Sequence, residues 1–220
     1  YNTAGIITAS NVSVANSVTA ATFHGDGSNL VNAGVAVGPS EEASGQTDGS
    51  TRSLSFGTYT LPTQTVLKND FNSTYSTLTA SQVTYKPPAG SIGVAYEFHF
   101  ANSWNNQPHA IQHFRLYING SANGLSGLTE VVYGRFGTNG WYAEHQTVFK
   151  WYFRIRNDNG SFDTNTGAMP AWTENKTISL QTRAYSTNQH HQGRFYNTYY
   201  YNGGGSHQFN QPNVKITAFK

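Results

Sequence analysis

Between Gln146 and Arg156 the sequence QTVFKWYFRIR alternates with a period of two. Phe149, Trp151, Phe153 and Ile155 make one uninterrupted apolar series, and Val148, Lys150, Tyr152, Arg154 and Arg156 make the other. Side chains of an extended strand point alternately to its two faces, whereas a helix groups positions three and four apart. The pattern therefore predicts a strand with one face in a core and the other in solvent, as in an antiparallel sheet packed on one side. Ile178, Leu180 and Thr182 against Ser179, Gln181 and Arg183 repeat it.

Further segments of the same kind recur every ten to fifteen residues or so, punctuated by turn signals. Strands are predicted over 54–61, 76–85, 92–101, 110–120, 130–137, 146–156, 176–186, 195–201 and 213–219. Asn119-Gly120, Asn139-Gly140 and Asn159-Gly160 are hairpin-turn dipeptides, and Lys86-Pro87-Pro88-Ala89-Gly90 is a stiff turn. Thirteen Phe, fourteen Tyr and four Trp supply the core, and only 11% of residues are charged, against about 25% in an ordinary soluble chain. Disorder goes with high net charge and few aromatics, so this chain of formal charge +2 folds. Eight or nine such strands fit an all-β, antiparallel β-sandwich of the jelly-roll kind. With no cysteine there is no disulfide framework, thiolate metal site or Cys nucleophile.

The composition breaks near residue 51. Residues 1–51 carry four acids, no Lys or Arg, and only Tyr1 and Phe23 among the aromatics. That is too little apolar mass to close a core alone. Ile6, Val12 and Val18 recur every six residues among small and polar ones, which suits thin strands covered by copies of themselves. A disordered leader is the competing reading. The expected organisation is a thin intertwined β stalk over 1–37, a polar linker over 38–52 (GPSEEASGQTDGSTR) and a jelly-roll-like knob over 53–220. The opening Tyr1 in place of Met points to a processed form or a piece of a longer polypeptide.

Little in the sequence speaks for catalysis. Region 53–220 has seven carboxylates, and no spacing singles out a pair facing one bond, as a glycosidase needs. No enzyme activity and no catalytic residue are expected. His109 and His113 share a face if both lie in one strand, but further metal ligands are missing from the pattern; neither a metal nor any other cofactor is expected. The run 202–206 is followed by a strand pattern, not the helix of a phosphate loop. Lys and Arg are scattered singly, so nucleic acid is not an expected partner. No apolar run approaches the roughly 18 residues of a membrane span, so no membrane insertion is expected. Aromatics beside amides are the remaining feature: Trp104 with Asn105, Trp141 with Tyr142, Trp172, and Tyr200 with Asn202. Rigid rings and adaptable amides on exposed loops match the apolar face and hydroxyl rim of a sugar. These seven residues are the candidate glycan contacts. The alternative is that the rings pack the core or a subunit interface.

The passage ATFHGDGSNLVNAGV (21–35) resembles a segment of the form A-T-x-F-x-G-(D/N)-G-S-x-L-x-x-V that recurs in structural proteins of marine tailed phages, especially those infecting cyanobacteria. TYTLPTQTVL (58–67), VTYKPPAG (83–90), YEFHF (96–100), FRLYING (114–120) and SHQFNQPNVKITAF (206–219) are similar to a C-terminal β domain of the same virion proteins. The resemblance implies a fibre or fibre-like component on the virion surface, commonly a homotrimer with a thin stalk and a globular knob, attached to other virion proteins. Host attachment by binding surface polysaccharide is the expected function. Rival expectations are a purely structural head or neck fibre or capsid decoration protein that binds no receptor, a non-viral adhesin or surface filament subunit, and a polysaccharide depolymerase.

Overall fold

The computed structural model describes residues 39–66, 73–104, 109–120, 127–139, 144–163, 165–185, 193–199 and 207–220. All belong to one unit, Ala36–Lys220; the expected stalk, 1–37, lies outside the described residues. Fourteen strands are described: β1 (Pro39–Gln46), β2 (Thr51–Leu54), β3 (Gly57–Thr60), β4 (Ser76–Thr77), β5 (Val83–Tyr85), β6 (Gly93–Trp104), β7 (His109–Gly120), β8 (Gly127–Asn139), β9 (Glu144–Arg154), β10 (Lys176–Ala184), β11 (Gly193–Phe195), β12 (Asn197–Tyr199), β13 (His207–Phe209) and β14 (Asn213–Phe219). The helical content among the described residues is the single 3-10 turn Thr79–Ser81.

Two antiparallel sheets carry the fold. In the first, β1 pairs β14, β14 pairs β6, and β6 pairs β9 along its other edge, with short β11 continuing the β14 side. In the second, β4 and β5 share one edge of β10, followed by β7 and β8. Their inner faces meet in one core: Val94, Tyr96, Phe98 and Phe100 of β6 and Val214 and Ile216 of β14 face Phe114, Leu116 and Ile118 of β7 and Ile178 and Leu180 of β10. Phe100 and Phe114 lie 6.2 Å apart between their ring centres. Phe153 and Ile155 are buried, and Phe149 and Trp151 pack against the same core, which is the face that the period-two pattern assigns.

Residues 38–52 are not a linker: they hold β1 and the start of β2. Ala43 is buried in the core, Ser40 Oγ donates to the Ala218 carbonyl, and Lys215 pairs Glu42 at 2.7 Å. A polar sequence makes a strand here because only one of its side chains needs to be deeply buried and the β14 backbone supplies the ladder. Segment 54–61 is a hairpin, β2 with β3, and not one strand. Segment 76–85 is broken by the 3-10 turn, which shifts the alternation so that Leu78 before it, Ala80 within it and Val83 and Tyr85 after it are all buried. Ser81 fills the break: its hydroxyl donates to the Leu78 carbonyl and accepts from the Leu180 N–H. Segment 195–201 breaks at Tyr196, whose φ of 65° is a left-handed backbone conformation costly for a bulky residue. Its fully buried ring, edge-on to Phe98, offsets that strain.

Candidate functional site

The second sheet presents an unusual outer face. On β7 and β10 the outward positions include His113, Arg115, Tyr117, Gln181, Arg183 and, just past the strand, Tyr185. The register sets Arg115 opposite Gln181 and Arg183 opposite His113, so the two arginines are diagonal neighbours on one face. Arg115 donates from Nε to Gln181 Oε1 at 3.1 Å. Its guanidinium carbon sits 3.8 Å above the centre of the Tyr75 ring and 4.6 Å from that of Tyr117. Arg183 approaches the same Tyr75 ring at 5.1 Å. Tyr75 arrives there because β4 pairs β10 immediately after it. At the top of the face His113 stacks on Tyr185 with 5.9 Å between ring centres and 18° between planes, and Tyr185 stays 52% exposed.

This cluster is locally cationic. The outward positions of β7 and β10 (111, 113, 115, 117 and 119; 177, 179, 181, 183 and 185) hold two arginines and a histidine and no carboxylate. Along β8 the register sets Arg135 beside His113 and Glu130 beside Tyr117. Guanidinium over an aromatic face is an attractive arrangement, and it holds the planar donors of Arg115 and Arg183 against a rigid surface.

The outer face of the first sheet is organised oppositely, as a ladder of opposite charges. Glu42 pairs Lys215 at 2.7 Å and Glu97 pairs Lys150 at 3.0 Å, with His99 Nε2 3.5 Å from Glu97. Burial alone would raise the Glu97 carboxyl. The hydrogen bond and charge of Lys150, with His99 and Lys215, outweigh it and hold Glu97 below the usual carboxylate range. Its folded pKa being depressed, its contribution to stability is full above the unfolded value of about 4.3 and is lost as pH falls through the folded value. Lys150 is largely exposed, so the contribution is under about 1 kcal/mol. Urea unfolding at about pH 6 and about pH 3 is expected to show a smaller acid-induced loss in Glu97→Gln than in the parent; equal losses would remove Glu97 from this role.

The glycan contacts read from the sequence fall elsewhere. Asn105, Trp141, Tyr142, Tyr200 and Asn202 lie outside the described residues. Trp104 ends β6, where its backbone pairs Gly193. Trp172 is 5% exposed in the core; its indole N–H donates to the Tyr85 carbonyl at 3.2 Å, and its ring meets Phe153 and Tyr85 edge-on. Its hydrogen-bonding group is engaged inside the sandwich. His109 and His113 do both lie in β7, and among the described residues no group of three or more His, Asp or Glu is arranged to hold a metal. The arginine–tyrosine face was missed, because Tyr75, Arg115 and Arg183 meet only through the pairing of β4, β10 and β7. The available signal was the alternation of His113, Arg115 and Tyr117 and of Gln181, Arg183 and Tyr185.

A separate groove of about 410 Å³ runs beside the β2–β3 hairpin, where Phe56, Thr58, Thr60, Gln82, Thr84 and Asn175 are among its lining residues. It offers hydroxyls and amides and no charge. Comparison with protein-family models and with curated proteins gives no match to this chain.

Proposed function

We propose that the chain is a jelly-roll adhesion module of a virion fibre, a homotrimer that attaches the particle to host surface polysaccharide. Strand order carries the reading. With β4 and β5 counted as one broken strand, eight strands in chain order (β1, β4/β5, β6, β7, β8, β9, β10, β14) divide between the sheets as first-eighth-third-sixth and second-seventh-fourth-fifth. That interleaving supports a jelly-roll reading, an arrangement that recurs in viral capsid and lectin domains. A fold hosts many functions, so the activity has to rest on the site: here, on rings, amides and guanidinium groups presented on a rigid sheet.

The described carboxylates favour binding over hydrolysis. Asp48, Asp158 and Asp163 accept backbone N–H groups of their own turns, Glu41 accepts the Tyr85 hydroxyl, and Glu42, Glu97 and Glu174 pair lysines. Val148 and Tyr152, about half exposed on β9, and Ile92 just before β6 give the first sheet an apolar border suited to contact between copies.

Sedimentation equilibrium of the full chain, followed by retention on immobilised acidic and neutral polysaccharides, tests the reading. The expected result is a species of three times the 24.1 kDa chain mass that is retained on at least one polysaccharide. A monomer retained on none would refute it.

A further inference from the structure

We propose that the groove between the β2–β3 hairpin and β5, at the edge of the second sheet, binds a neutral saccharide chain; this rests on the adhesion reading and gives it a place and a ligand class. The groove measures about 410 Å³, within the roughly 300–1,000 Å³ of sites for small ligands. Phe56, Thr58 and Thr60 of the hairpin make one wall. Thr79, Gln82 and Thr84, around the 3-10 turn and β5, make the other with Asn175 just before β10. The hairpin is a sheet of its own, outside both layers of the sandwich, and this wall is what it adds.

The lining chemistry selects the ligand. The threonines bring hydroxyls that both donate and accept, Gln82 and Asn175 bring amides, and Phe56 brings a ring. A sugar offers the matching set, a hydroxyl rim around an apolar ring face. Among the described residues no Asp, Glu, Lys, Arg or His lines the groove, so a charged sugar would give up hydration there without an opposite charge in return. A neutral sugar gives up only hydroxyl hydration, which the lining replaces. All four threonines and both amides are exposed, so a ligand reaches them from solvent.

The groove is also rigid. Thr58 and Thr60 share one face of β3, and a β-branched side chain has little rotamer freedom to lose on binding. Thr84 Oγ1 lies 2.8 Å from Thr177 Oγ1 of β10, and the Gln82 N–H donates to the Thr79 carbonyl across the turn between them. Phe56 stands edge-on to Tyr85 with 5.6 Å between ring centres. Arg52 Nε donates to the Ser44 carbonyl of β1 at 3.1 Å, and the Gln64 N–H donates to the Thr47 carbonyl at 2.8 Å, which ties the hairpin to the sandwich.

The test uses the full chain with mannan, galactan and dextran, and with polygalacturonate as the charged counterpart, followed by affinity electrophoresis and calorimetry. The expected result is binding to at least one neutral polymer, with an affinity that changes less than about twofold between about 0.05 and 0.5 M salt, since no ion pair is there to be screened. Thr84→Val, and Thr58→Val together with Thr60→Val, delete hydroxyls and keep the shape; each is expected to weaken binding roughly three- to tenfold. The three side chains are exposed and valine suits a strand as threonine does, so the melting temperatures stay near the parent's and the comparison is of folded proteins. Arg183→Gln, on the outer face of β10, leaves binding unchanged. Retention on polygalacturonate alone, or neutral binding that the threonine variants leave at the parent's strength, overturns the proposal while leaving adhesion standing. Binding to none of the four polymers overturns both.

Discussion

Replacing Trp172 with alanine is expected to lower the unfolding free energy by about 3–5 kcal/mol, the usual cost of deleting a buried large ring. For a chain of this size that is a fall in melting temperature of roughly 10 °C or more. The ring fills the space between Phe153 and Tyr85, and its N–H satisfies the Tyr85 carbonyl in the core. Truncation thus leaves both a cavity and an unpaired buried acceptor. Trp172→Phe retains most of the packing and loses the hydrogen bond, so about 1–2 kcal/mol is expected. Urea unfolding of the two variants checks the ordering. If Trp172→Ala were within about 1 kcal/mol of the parent yet had lost polysaccharide binding, the ring would be a ligand platform and its packing role incidental.

The second large effect concerns where the chain can be cut. A fragment of residues 39–220 is expected to unfold in one cooperative transition. A fragment of 47–220 is expected to populate no native sandwich and to aggregate. The eight residues that separate them are β1, which pairs β14 from Pro39↔Phe219 to Gln46↔Asn213. Without them β14 becomes an exposed edge, a template for pairing with other chains. The Glu41 acceptor of the buried Tyr85 hydroxyl is lost as well, and so is Ala43 from the core. Far-ultraviolet circular dichroism and light scattering of the two fragments separate the outcomes. A soluble, cooperatively folded 47–220 would show that β1 is dispensable.

The sequence made the strands of the core legible because their alternation is strong. Phe149 through Ile155, Ile178 with Leu180, and the segments that became β6, β7 and β14 each announce a buried face. β1 was illegible for the opposite reason: PSEEASGQ has one small core residue and is held by backbone bonds and one ion pair, Glu42 with Lys215, to a partner some 170 residues away, which no local pattern encodes. The breaks at Ser81 and Tyr196 were hidden similarly, since each depends on a tertiary partner, Leu180 for one and Phe98 for the other. Aromatic residues mislead a search for exposed contacts because a ring suits a core as well as a sugar. Trp172 is among the candidate glycan contacts in the sequence, yet it packs inward. The arginine–tyrosine face needed strand register, and register is a property of paired strands.

Register is therefore what the account stands on. Cross-strand Hα–Hα and amide contacts between β10 and β7, measured by nuclear magnetic resonance on the isotope-labelled 39–220 fragment, test it most directly. The expected pairs are Gln181 with Arg115, Thr182 with Phe114 and Arg183 with His113. This keeps Phe114 in the core and both arginines on the outer face. Pairing displaced by one residue would turn one strand over, separate Arg115 from Arg183, and contradict both the fold and the binding face drawn on it.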